Sequence, residues 1–249
     1  MTDILSLLPA YNWQLAFLAL VPILFLARIV SFFSRRLSPV LREEFDRDIA
    51  AFQKKMENER YAKNQKKYLL QSLLIYLGSF SVTVPFAITI AFQPWWQILI
   101  SSFIILMAYD FLYYLFHRFV LHDSRLFKGP LVKIHGIHHR ERHPVANDVA
   151  HVHWFEVALV QLLFVIVYWM YMYFFGSVHI VTVLLTWILS QELHRHNHSR
   201  WYKDGGPFKY AKYVADLHRA HHIRFNGGNF GVMSPLFDWL FGTLDRTKK

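Results

Sequence analysis

Residues 95–122 read WWQILISSFIILMAYDFLYYLFHRFVLH. The stretch is apolar from Trp95 to Phe116, broken only by Asp110, and it runs straight into His117 and His122. A spanning helix needs about 20 apolar residues, so this run reads as a membrane span that delivers metal-type ligands at one end. Four more apolar stretches accompany it: Tyr11 to Phe33, interrupted by Arg28, Tyr68 to Phe92, Val157 to Phe175, and the shorter Val178 to Leu193. Pro94, in Gln93-Pro94-Trp95-Trp96, breaks the second from the third, and the paired tryptophans suit a membrane interface. Gly176-Ser177 divides the last two. Both pairs read as helical hairpins. The expected fold is an all-α integral membrane protein with four to five transmembrane helices, five if the last stretch crosses and four if it only re-enters. A helical cytosolic cap is expected to hold a dimetal site.

Charge orients this scheme. Residues 1–27 carry no Lys or Arg, and neither hairpin turn is charged, whereas 35–67, 117–155 and 194–249 are basic. With five spans every basic segment falls on one side, which is then the cytoplasm, together with the C-terminus. The net charge of +10 is explained by the same rule, and nucleic acid is not expected as a partner. The chain has no cysteine, which excludes disulfides, thiolate zinc sites, iron–sulfur clusters and a cysteine nucleophile. Met1 to Leu7 has no basic run of the kind that opens a secretory signal. The whole of 1–249 reads as one domain. Within its N-terminal part, Ser38-Pro39 opens a helix, and Leu41, Phe45, Ile49, Phe52 and Met56 form one stripe among charges. Such a helix lies on the bilayer surface or on the protein's own cap.

All 15 histidines follow residue 116. His117 and His122 form H-x4-H; His135, His138 and His139 form H-x2-H-H; His194 and His198 form H-x3-H; and His218, His221 and His222 repeat H-x2-H-H. Helix positions i, i+3 and i+4 share a face, so each H-x2-H-H aims three imidazoles together. His117 and His122, five apart, sit less well on one face and are expected to converge where the spanning helix frays. The hairpins bring all four groups to one membrane face, and ten imidazoles suffice for two ions. Imidazole suits Fe, Zn, Cu and Ni alike. His143, His151 and His153 read as loop residues or supporting groups, His179 falls on the opposite side, and His196 faces away from the proposed ligands.

These groups resemble the motifs of the fatty acid hydroxylase and sterol desaturase superfamily, over about Asp110 to Thr243. Asp110 through His122, His135-Gly-Ile-His138-His139, His194-Arg-His-Asn-His198 and His218-Arg-Ala-His221-His222 carry the likeness. Asn147, His153-Trp-Phe-Glu156, Asn229-Phe-Gly231 and Asp238-Trp-Leu-Phe-Gly242-Thr243 add to it, although the family often has proline where Trp154 stands. The resemblance implies a cytosolic-facing pair of iron ions, O2 as cosubstrate, and attack on an unactivated C–H bond of a sterol, fatty-acyl or other lipid, giving hydroxylation or desaturation. Zinc stands above ferrous iron in affinity and is expected in some purified samples. The chain has no G-x-G-x-x-G and no evident haem domain, so electrons are expected from an external reductase, ferredoxin or cytochrome. A zinc-dependent lipid hydrolase is the alternative, and a metal transporter a more distant one.

Among the carboxylates, Asp110 is the foremost candidate to orient an imidazole N–H, being an ionisable group inside an apolar run. Glu192 and Asp216, each two residues before a proposed ligand, are weaker candidates for that work. Asp123, Asp148 and Glu156 are weaker candidates still, because loop carboxylates are ordinarily solvated. Tyr113, Tyr114, Phe116 and Trp187 are placed to line an apolar passage from the bilayer. Arg118, Arg140 and Arg195 are placed to meet an acidic headgroup.

Overall fold

A computed structural model describes residues 39–123, 129–140, 153–198, 209–225 and 227–246, with Gln14, Ile29 and Phe33. The chain is mostly helical. Helix α1 spans Pro39–Met56, beginning at the proline expected to open it, and α2 spans Glu59–Ala87, capped by Asn58 whose side chain accepts from Tyr61 N–H. Strand β1 (Ile88–Thr89) follows, then α3 (Trp95–Phe116) and a six-residue π-helix (His117–His122). Next come α4 (Pro130–Arg140), α5 (Trp154–Phe175), β2 (Val178–His179) and α6 (Ile180–His198). Helices α7 (Lys209–Ile223) and α8 (Leu236–Leu240) complete the described elements.

Pro94 precedes the first turn of α3, and Gly176, at φ 87°, closes α5. These are the two breaks expected between apolar stretches. The second apolar stretch stops being helix at Ala87, because Ile88 and Thr89 pair in parallel with Val178 and His179. That pairing ties the two inter-helix turns together. The first apolar stretch lies outside the described residues.

Helices α2, α3, α5 and α6 pack side by side, with α7 against α6 and α1 against α2. Tyr109 stacks on Phe164 at 3.7 Å, and Tyr76 and Phe80 meet the edge or face of Trp187 at 5.6 Å. Two hydroxyl pairs cross the bundle: Ser101 bonds Tyr171 at 2.6 Å and Tyr168 bonds Thr186 at 2.8 Å. Among the described residues two helices are long and apolar enough to cross a membrane, Trp95–His122 and Trp154–Phe175, while Ile180–Ser190 is a shorter apolar helix. Only 22% of the apolar window of α5 and 39% of that of α3 is buried. A soluble protein's core helix would be mostly covered, so these exposed apolar faces fit a lipid surrounding.

Candidate metal centre

The π-helix decides the first pair of ligands. An α-helix returns after i+4, whereas a π-turn bonds i to i+5. His117 and His122 therefore overlie each other, with ring centroids 4.8 Å apart and Nε2 atoms 3.2 Å apart. The expected fraying does not occur; the wider turn does the work.

The two H-x2-H-H motifs each divide between two groups. On α4, His135 and His139 turn inward together, their Nε2 atoms 3.0 Å apart, while His138 points to the neighbouring group. On α7, His221 joins the first group and His218 the second. One ligand nitrogen from each of His117, His122, His135, His139 and His221 lies within 4.8 Å of every other. His138, His194 and His218 meet the same condition. The His222 ring lies against both groups, 4.4 Å from His139, 4.6 Å from His138 and 4.8 Å from His218. Nine of the ten expected ligands are thus gathered; the side chains of His198 and Glu192 lie outside the described set.

The donor set fits metal ions. His117 Nδ1 faces the Phe230 carbonyl at 2.7 Å, His221 Nδ1 the Gly228 carbonyl at 2.8 Å, and His135 Nδ1 the Glu156 carboxylate at 2.8 Å. A carbonyl or carboxylate oxygen can only accept, so each Nδ1 carries the proton and each Nε2 the lone pair. Yet His117 Nε2 lies 3.0 Å from His135 Nε2 and 3.2 Å from His221 Nε2. Lone pairs so placed repel unless a cation lies between them. Two nitrogens at right angles around a metal, each about 2.1 Å away, are separated by about 3.0 Å. Five gathered nitrogens are also one more than a closed tetrahedral zinc site uses. Burial lowers His221 to about 3, against the pull of the Gly228 carbonyl, and lowers His194 to about 4. Both shifts favour the neutral form that metal ligation requires.

Helix α8 and its flanks present the two carbonyls. Asp238 accepts from Phe230 N–H at 2.8 Å, Gly231 N–H at 2.7 Å and Thr243 Oγ1 at 2.7 Å. Burial raises its pKa, while these three bonds pull it down. Asn229, at φ 59°, bonds Leu217 O and both backbone groups of Asp245. A Cβ on Gly228, at φ 95°, would collide with Thr243 O, and one on Gly231 with Ser234 O. The Asn229-Phe-Gly231 and Asp238 to Thr243 segments are therefore one brace behind His117 and His221.

Three expectations about carboxylates change. Asp110 accepts from Met233 N–H at 3.3 Å and Ser234 Oγ at 2.5 Å, not from an imidazole. It thus ties α3 to the Met233–Ser234 turn rather than to a ring. Asp216 is half exposed and pairs with Lys212 and Arg219 of its own helix at 3.1 and 3.4 Å. Glu156, read as a solvated loop group, is buried in the first turn of α5 and orients His135. The signal was its place directly after a helix start, with His153 capping Phe155 N–H at 3.2 Å. His179 similarly caps its own helix, accepting from Val181 N–H. His143, Asn147, Asp148, His151 and the side chains of Arg195 and His196 lie outside the described set.

A cavity of about 700 Å³ adjoins His122, and its walls are Arg118, Asp123, Gly227, Gly228, Phe230 and residues 242–245. These are largely polar loop positions, not the apolar spans. Tyr114, expected in an apolar passage, is buried and bonded to Thr243 and Arg118. Tyr113 packs on His117 at 5.4 Å.

Comparison with known proteins bears on this arrangement. Residues 102–243 match the model of the fatty acid hydroxylase family, a span that contains every histidine of both groups. No curated protein and no solved structure matches the chain.

Proposed function

From the premise that the chain belongs to the fatty acid hydroxylase family, we propose that it is an O2-dependent, two-iron membrane enzyme that hydroxylates or desaturates a lipid. The observation that carries this reading is the set of imidazole lone pairs facing one another at 3.0–3.2 Å while their outer N–H groups are held by oxygen acceptors. His117, His122, His135, His139 and His221 would hold one ion, and His138, His194, His218 and His222, with His198, would hold the other. When bound, iron supplies the O2 activation and hydrogen abstraction that an unactivated C–H bond demands, chemistry that zinc lacks.

The chain's own residues do the rest. Glu156, Phe230 and Gly228 fix the tautomers of His135, His117 and His221 so that their Nε2 atoms face inward. Phe225 lies 4.4 Å from His122 and 4.8 Å from His139, and Phe230 5.3 Å from His122, so aromatic rings cover part of this group. Electrons come from a separate redox protein. The exposed apolar faces of α3 and α5 sit in the bilayer as two hairpins of a four- or five-span protein, with the histidines and the basic segments on the cytoplasmic side.

The test is to express the full chain with iron, supply isotopically labelled O2, and compare lipids with and without the protein. A labelled alcohol, or a new alkene formed only with O2, is the expected product. Label entering from water alone would make the protein a hydrolase. Full activity in an iron-free zinc form would overturn the iron assignment.

A further inference from the structure

The short helix α8 turns an apolar face outward. Leu236, Trp239, Leu240 and Phe241 are 38%, 62%, 55% and 47% exposed, four large apolar side chains within six residues. The charge among them, Asp238, is buried and turned inward to Phe230, Gly231 and Thr243. The main chain is paired as well: Trp239 N–H donates to Pro235 O, Phe241 N–H to Phe237 O, and the Thr243 and Leu244 N–H groups to Asp238 O. A turn whose charge and N–H groups are bonded internally can leave water at little cost. A contiguous exposed apolar patch of this kind marks an interaction surface.

Position says what the patch meets. Helix α8 packs on α3, where the Phe111 ring lies 5.2 Å from Phe237 and 6.3 Å from Phe241. The 22 residues of α3 make roughly 33 Å of helix, against roughly 30 Å of hydrocarbon. Phe111 stands five residues before Phe116, roughly 7 Å inside the histidine-bearing end of the span. Helix α8 therefore adjoins the spanning helix at the depth where acyl chains give way to headgroups. We propose that α8 is seated in that layer of the bilayer, with Leu236, Trp239, Leu240 and Phe241 against lipid. Interfacial helices bury their apolar face about 5–10 Å into this boundary, and tryptophan is a favoured residue there. Arg246, exposed just after the segment, suits headgroup phosphates. Outward the helix faces lipid; inward its Asp238 holds Phe230, whose carbonyl meets His117. This inference rests on the reading of α3 as a membrane span.

The chain has no cysteine, so single cysteines can carry a nitroxide label in the metal-loaded full chain in lipid nanodiscs. Leu240→Cys is compared with Phe103→Cys, at an exposed position of α3, and Asp216→Cys, at a half-exposed position of α7. Collisions of the label with oxygen, which partitions into lipid, are measured against collisions with a water-soluble nickel complex. The oxygen-to-nickel ratio at Leu240 should be several-fold above that at Asp216. A ratio no higher than at Asp216 places the patch in water, and few collisions with either reagent place it under a protein partner or a second copy. Either result overturns the proposal. A second measurement needs no label: lipids brominated in the acyl chain should quench the Trp239 fluorescence, taken as the difference between the unmodified protein and Trp239→Phe. An unquenched difference also overturns the proposal. Phe103 keeps the two readings apart. If its label is in lipid while that at Leu240 is not, only the seating of α8 is lost; if both are in water, the span itself is lost.

Discussion

Glu156 and His135 stand 21 residues apart in the chain and meet at 2.8 Å, carboxylate oxygen to Nδ1, both side chains buried. The pair joins the start of α5 to the inner face of α4 and fixes which nitrogen of His135 is free to bind metal. Carboxylates placed behind a ligating histidine typically contribute about 10–100-fold in metal affinity or activity. Glu156→Ala should lower metal occupancy by that order, read by elemental analysis at limiting metal. Glu156→Gln retains an acceptor oxygen and should lose less. Equal occupancy in all three proteins would show that the contact does not orient His135.

The brace behind His117 and His221 makes a prediction with an internal contrast. Gly231→Ala drives a Cβ into the Ser234 carbonyl and toward Asp238, so the loop bearing the Phe230 carbonyl must shift. Both melting temperature and metal occupancy should fall. Gly136, inside α4, has nothing within 4 Å of an added Cβ. Gly136→Ala should therefore stabilise the protein by about 0.5–1 kcal/mol, the usual gain of alanine over glycine in a helix.

Acid should destabilise the metal-stripped protein. Burial holds His221 at about 3, below the usual 6.5. Between those values the unfolded chain binds a proton that the folded chain does not, so stability rises with pH across the window and is lost as pH falls through it. His194, held at about 4, adds in the same direction. Thermal melting after chelation, run from pH 7 down to pH 4, should show a steady fall. A flat profile would mean that neither ring is neutral because of the fold.

The 700 Å³ cavity beside His122 is large enough for a small molecule and reaches the first histidine group from its polar side. A water-soluble chelator should enter there. Leu244→Trp narrows the cavity and should slow metal stripping several-fold without changing metal occupancy at equilibrium. An unchanged stripping rate would place the route elsewhere.

Much of the site could be read from the chain because ligand spacing is local. H-x2-H-H carries its meaning in the helical period, and α4 and α7 realise it, although the spacing did not reveal that each motif serves two groups. H-x4-H was harder, since nothing in His117–His122 announces a π-turn. Glu156 took the role expected of Asp110 because a carboxylate's partner depends on which helix faces it, and that is set by packing between distant segments. The third and fourth apolar stretches became helices of spanning length, while the second gave up its last residues to β1. Ile88 and Thr89 carry no pattern that distinguishes a two-residue strand from a helix end.

That short pairing of Ile88–Thr89 with Val178–His179 makes the bundle mechanically lopsided. One end is sewn shut by main-chain bonds, which no side-chain substitution short of proline removes. The opposite end is held by rings, carbonyls and carboxylates around the histidines. The bundle is thus a pair of tongs with a fixed pivot. Any yielding that lets a bulky guest between α2, α5 and α6 must grow toward the jaws, where the ions would sit, so a guest that forces its way in is guided to the chemistry.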